Sequence, residues 1–111
     1  MDSITMYRTL RRLAKKRGIV LDEDLLQGTT PTALWYLSGS FEAIAISSEV
    51  HDMDQRAFLF ARSLGQSHLY RNMPRGTRMY DPQSVPLHCI KVWGAAVERY
   101  AKRLITRLKG A

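Results

Sequence analysis

Near the start of the chain, Ile4, Tyr7, Leu10, Leu13 and Ala14 recur at helical spacing while arginines and lysines fill the remaining positions, which predicts an amphipathic helix. Asp2 or Ser3 can cap its start, and Gly18 ends it. The short apolar run Ile19, Val20, Leu21 reads as a strand. The acidic triplet Asp22, Glu23, Asp24 then leads into loop residues Gly28, Thr29, Thr30 and Pro31. Residues 33–37 and 42–47 are two apolar and aromatic segments on either side of Ser38, Gly39 and Ser40, the pattern of a hairpin, with Ile44 and Ile46 on one face.

Asp52 or Asp54 offers a cap to a long helix in which Ala57, Phe58, Ala61, Leu64, Gly65 and His68 follow the i, i+3, i+4, i+7 rule. Leu59, Phe60 and Leu69 widen its apolar surface, as expected of a helix buried on several sides. From Asn72 to Pro86 the chain carries Pro74, Gly76, Pro82 and Pro86 without a period and reads as a long loop. A last helix places Trp93, Ala96, Val97, Tyr100, Ala101, Leu104, Ile105 and Leu108 on one face. The expected fold is α+β: three main helices packed with a small β-hairpin or sheet, in a single domain spanning 1–111.

Charge changes the picture more than composition does. The chain has 17 lysines and arginines against 10 acidic residues, a formal net charge of +7. The basic residues cluster in two helices, at Arg8, Arg11, Arg12, Lys15, Lys16 and Arg17 and again at Lys91, Arg99, Lys102, Arg103, Arg107 and Lys109. The loop adds Arg71, Arg75 and Arg78 beside Tyr80. Clustered cations attract phosphate, and cations mixed with an aromatic suit phosphate contact or stacking. Of these, Arg8, Arg11, Arg12, Lys15, Lys16, Arg71, Arg75, Arg78, Arg99, Lys102, Arg103 and Arg107 are the candidate contacts to nucleic acid or a partner. Lysines and arginines on helix faces also serve only to solvate, and no helix-turn-helix pattern supports sequence-specific reading of DNA. Cys89 is the one cysteine, so no internal disulfide forms and a reducing cytoplasm fits best. No apolar run is long enough to cross a bilayer.

The stretch Phe58-Leu59-Phe60-Ala61-Arg62-Ser63-Leu64-Gly65-Gln66 keeps the apolar frame of a zinc-peptidase helix. So does Tyr100-Ala101-Lys102-Arg103-Leu104-Ile105, which is similar to the aromatic-Ala-x-x-Leu-Leu pattern of a closing helix. With this order of elements, from about Tyr7 to Leu108, the chain resembles the ImmA/IrrE family of metallopeptidase-like proteins of phages and mobile elements, whose buried helix reads F-x-x-A-H-E-L-G-H. The resemblance implies a minimal zincin-like domain without its zinc chemistry. HExxH sets two imidazoles four residues apart on one helical face to hold zinc, with a glutamate between them to activate water. Arg62, Ser63 and Gln66 stand at those positions, and the third, acidic ligand position falls near Ala96. A guanidinium does not ligate zinc, serine is no general base at neutral pH and glutamine is a poor zinc ligand. The resemblance therefore implies a non-catalytic protein with no metal or other cofactor, which binds a protein regulator; the basic surface equally suits blocking a nucleic-acid-handling complex such as a defence nuclease. The alternative is a module that binds DNA or RNA directly.

Arg62, read as buried in the former active-site helix, needs a partner, and Glu98 is the candidate. Either the pair fills the dead site, or Arg62 and Gln66 form the floor of a reused binding pocket. His51, His68, His88, Cys89 and Asp52 are the remaining metal-binding types, but His68 is two residues from Gln66 and cannot replace the lost ligand on its face. Satisfied or solvent-facing histidines are the plainer account. A nucleophile at Cys89 beside His88 lacks any sign of an oxyanion hole.

Overall fold

The computed structural model describes residues 1–23, 32–38, 41–72 and 87–110, with the backbone alone for residues 38 and 87–93. The elements run α1 (Ser3–Lys16), β1 (Val20–Asp22), β2 (Ala33–Ser38), β3 (Phe41–Ile46), α2 (Met53–Arg71) and α3 (Leu87–Lys109). Three helices and a three-stranded mixed sheet make this an α+β fold, as the periodicities predict. Gly28, Thr29, Thr30, Pro31, the hairpin turn at Gly39 and Ser40, and loop residues Arg75, Arg78 and Tyr80 lie outside the described residues. So do the side chains of His88, Cys89, Lys91 and Trp93.

Local chemistry sets the ends of α1. The Asp2 carboxylate accepts from the Thr5 N–H at 2.7 Å, and this bond holds its pKa below the usual carboxylate range. At the other end, Gly18 N–H donates to Lys15 O at 3.0 Å and Ile19 N–H to Ala14 O at 3.0 Å. This is a Schellman closure, and it requires the left-handed φ of 77° that Gly18 supplies. Ile19, 3% exposed, is thereby turned into the core. Met6, Tyr7, Leu10 and Ala14 form the buried side of α1. Ile4 departs from its expected place and is 51% exposed. At about 100° per residue it lies about 110° from the centre of that buried side, and Met6 occupies the inward position.

The sheet order is β1-β3-β2, with β1 parallel and β2 antiparallel to β3. Strand β3 is therefore central and buried from Glu42 to Ile46. Its alternation is visible in the packing: Ile44, Ile46 and Trp35 face the helices and join the core cluster. Ala43 and Ala45 lie on the other face among the exposed Val20 and Leu34.

Helix α2, capped by Asp52 at 2.9 Å, packs against α1, α3 and the sheet. Ala57, Phe60, Ala61, Leu64 and Gly65 bury among their neighbours, with Tyr7 edge-on to Phe60 at 5.6 Å and Tyr70 against Trp35 at 5.3 Å. Gly65 has a packing role, because a Cβ there would stand 3.0 Å from Tyr100 Cδ1. The missing side chain lets α3 approach. Among the described residues no helix is long and apolar enough to cross a membrane.

Candidate functional site

The arginines divide into two kinds. Arg56 packs over Tyr7 at 5.0 Å, donates from Nη1 to Ser47 O at 2.9 Å and Val50 O at 3.3 Å, and pairs with Glu23 at 3.8 Å. Burial pushes the Tyr7 hydroxyl pKa up against the opposing pull of Arg56. Arg71 reaches the buried Glu42 from Nε at 2.9 Å and Nη2 at 2.6 Å, and Ser67 Oγ donates to the same carboxylate at 3.0 Å. Both are built into the scaffold.

A second group gathers where the C-terminal end of α1 meets α2 and α3. There a cleft of about 500 Å³ is lined by Arg17, His68, Leu69, Ala96, Arg99, Tyr100, Arg103, Leu104 and Arg107. Positions 96, 99, 100, 103, 104 and 107 repeat at three- and four-residue steps, so one stripe of α3 supplies most of the wall. Arg99, Arg103 and Arg107 stand along it about 6 Å apart in rise, one helical turn each. All three are exposed. Among the described residues no carboxylate lies within ion-pair distance of these three or of Arg17.

Arg17 is placed by a chain of contacts that begins in the sheet. Arg71, held by Glu42, also donates from Nη2 to the Arg17 carbonyl at 2.6 Å, satisfying an acceptor at the end of α1. Arg17 then donates from Nη2 to the Tyr100 hydroxyl at 3.0 Å, while its Nη1 is out of solvent contact with no hydrogen-bond partner among the described residues. His68 stacks on Tyr100 with ring centroids 4.8 Å apart and planes 27° apart. The result is a cationic cleft with an aromatic and partly apolar wall.

The residues singled out from the sequence fall in different places. Arg62 was expected to be buried, but its side chain is 44% exposed; its predicted partner Glu98 does meet it, at 3.1 Å. The reason is geometric, since Arg62 lies about 160° round α2 from the centre of its buried arc. Ser63 is buried and donates to Leu59 O at 3.2 Å, whereas Gln66 is half-buried. Of these four positions only Ala96 lines the cleft. His68 falls within the apolar arc of α2 as expected, yet it is exposed because that arc opens into the cleft at the helix end.

Arg99, Arg103 and Arg107 are brought together, while the expected contact Lys102 is exposed on α3 but lies outside the cleft. Arg8, Arg12, Lys15 and Lys16 are exposed along α1; Arg11 is half-buried, 5.9 Å from the Tyr7 ring centre and 3.9 Å from Glu23. Arg71, expected as a contact residue, is spent on Glu42 and the Arg17 carbonyl. Arg75 and Arg78 lie outside the described residues. Arg17, His68 and Tyr100 are cleft residues that the sequence did not single out for binding. The three- and four-residue repeat from Ala96 to Arg107 was the available signal. Among the described residues no group of three or more His, Cys, Asp or Glu side chains is placed to hold a metal ion.

Comparisons with protein-family models, curated proteins and solved structures give no match for this chain.

Proposed function

We propose that this protein acts by binding rather than by catalysis, and that its ligand is nucleic acid held through the phosphates at the arginine cleft. The observation that carries this reading is the convergence of Arg17, Arg99, Arg103 and Arg107 on one concavity without a neutralising carboxylate among the described residues. Like charges gathered in this way repel one another, and a polyanion relieves that repulsion while releasing its own counterions. The exposed cations of α1 extend the positive field beyond the cleft. The non-catalytic part of the reading rests on Arg62, Ser63, Gln66 and Ala96, none of which offers the ligand or base of the zinc motif they resemble. A lone cysteine is compatible with work in the cytoplasm.

The test is a salt series with fluorescently labelled DNA and RNA. With four arginine contacts, log affinity should fall with log salt at a slope of about −3, and Arg103→Glu with Arg107→Glu should flatten it. Absence of binding at about 50 mM salt rejects the proposal.

A second reading keeps the relation to the ImmA/IrrE family in front: a peptidase-like scaffold of a phage or mobile element that holds a protein regulator or a defence nuclease complex without cutting it. The Arg62–Glu98 pair favours it, because it closes the former motif helix against α3 with a contact that has no catalytic use. Recovery of a regulator or nuclease from host lysate by the wild type, lost on Arg62→Glu and retained in Arg103→Glu, would select this reading over the first.

A further inference from the structure

The cleft is concave, and that bears on which form of nucleic acid it takes. Its volume of about 500 Å³ falls in the range of small-molecule sites and has room for one nucleotide. A duplex presents its phosphates on a convex surface with the bases stacked inside, so it would use the arginines of such a cleft but not its wall. That wall is part of the site: Leu69 and Leu104 are half-buried in it, and the stacked His68–Tyr100 pair places an exposed imidazole at its edge. An unstacked base presents the flat, weakly polar surface that matches imidazole, phenol and leucine together.

We infer that the cleft is a single-strand site, in which one nucleotide sets its base against the His68–Tyr100 stack while the adjoining phosphates run along Arg99, Arg103 and Arg107. The rise of about 6 Å between successive arginines is comparable with one nucleotide step of a stretched single strand. Arg17 sits at the aromatic end of this ladder, its Nη2 bonded to the Tyr100 hydroxyl and its charge unmatched by any carboxylate among the described residues. It fixes the ring and contributes field at the same point. Duplex and single strand thus share the arginines, but only the single strand uses the stack.

This inference rests on the nucleic-acid reading above, and the experiment separates the two. Four probes are titrated into the full chain at fixed low salt: a thymidine-rich single strand, a duplex of equal length, a nucleoside monophosphate and inorganic phosphate. The single strand should bind at least about tenfold more tightly than the duplex, the equivalent of one good stacking contact. His68→Ala, at an exposed position that should leave the melting temperature unchanged, should weaken the single strand and the monophosphate about three- to tenfold and leave inorganic phosphate unaffected. Arg103→Glu should weaken every probe. Equal affinity for duplex and single strand, or an unchanged single-strand affinity in His68→Ala, overturns the single-strand site while the nucleic-acid reading stands. Failure of both polymers to bind overturns both.

Discussion

Arg71 and Arg103 are the same residue type on two helices that pack together, and their surroundings differ in kind. Arg71 meets a carboxylate that is 9% exposed, through two of its own nitrogens, and gives a further bond to the end of α1. Arg103 lies between Arg99 and Arg107 with no carboxylate in reach among the described residues. The scaffold neutralises Arg71 where α2 packs on the sheet and leaves Arg103 unmatched among the described residues on the exposed side of α3. Arginine of the first kind contributes to folding, and arginine of the second kind raises the energy of the unliganded protein. Substitutions should therefore have opposite effects on stability in the two places.

The largest effect is expected at Glu42. Glu42→Ala removes the partner of Arg71, leaves Ser67 Oγ buried without its acceptor and loosens the hold on the Arg17 carbonyl. Breaking a mostly buried pair on one side costs about 3 kcal/mol, here tempered because Arg71 is 40% exposed and can turn to water. A fall in melting temperature of about 10 °C in a thermal scan is the expected result. No change would mean that the network does not hold α1 to α2. Next comes Gly65→Val, which drives a branched side chain into Tyr100 at the contact of α2 with α3. Overpacking of this kind costs about 2 kcal/mol, and the displaced ring should lower nucleic-acid affinity as well. A stable Gly65→Val protein with full binding would break the link between that contact and the cleft.

These two positions also show what could be read from the chain beforehand. The helices, the hairpin and the terminating role of Gly18 were legible because they depend on residues a few places apart; each N-cap was legible to within two candidates, of which the structure uses Asp2 and Asp52. The Arg62–Glu98 pair was legible as two opposite charges on helices expected to meet. Its burial was misjudged, because membership of a buried helix does not say which arc of that helix is buried. The path from Glu42 through Arg71 and the Arg17 carbonyl to Tyr100 joins residues 29, 54 and 83 positions apart, and no local pattern announces it. For the same reason Arg17 read as one of six basic residues in α1, although its side chain belongs with α3.

A smaller effect is expected at the Arg62–Glu98 pair between α2 and α3. Arg62 and Glu98 are 44% and 40% exposed, so their attraction is largely screened and Arg62→Ala should cost at most about 1 kcal/mol in chemical denaturation. A loss of several kcal/mol would show that the pair is a structural contact between α2 and α3, drawing it toward the Arg71 kind.

The smallest effect carries the opposite sign. Arg103 is four residues from both Arg99 and Arg107, and like charges at that spacing destabilise a helix by about 0.2–0.5 kcal/mol for each pair. Arg103→Ala removes both repulsions and installs the best helix former, so the variant should melt a few degrees higher than the wild type in low salt. Raising the salt screens the repulsion and should shrink the difference to the part due to helix propensity alone. The same variant should bind nucleic acid more weakly. A substitution that stabilises the fold while weakening the ligand marks a residue retained at the expense of stability. If Arg103→Ala instead lowers the melting temperature at every salt concentration, the arginine is a structural residue with an unseen partner, and the distinction between the two kinds collapses.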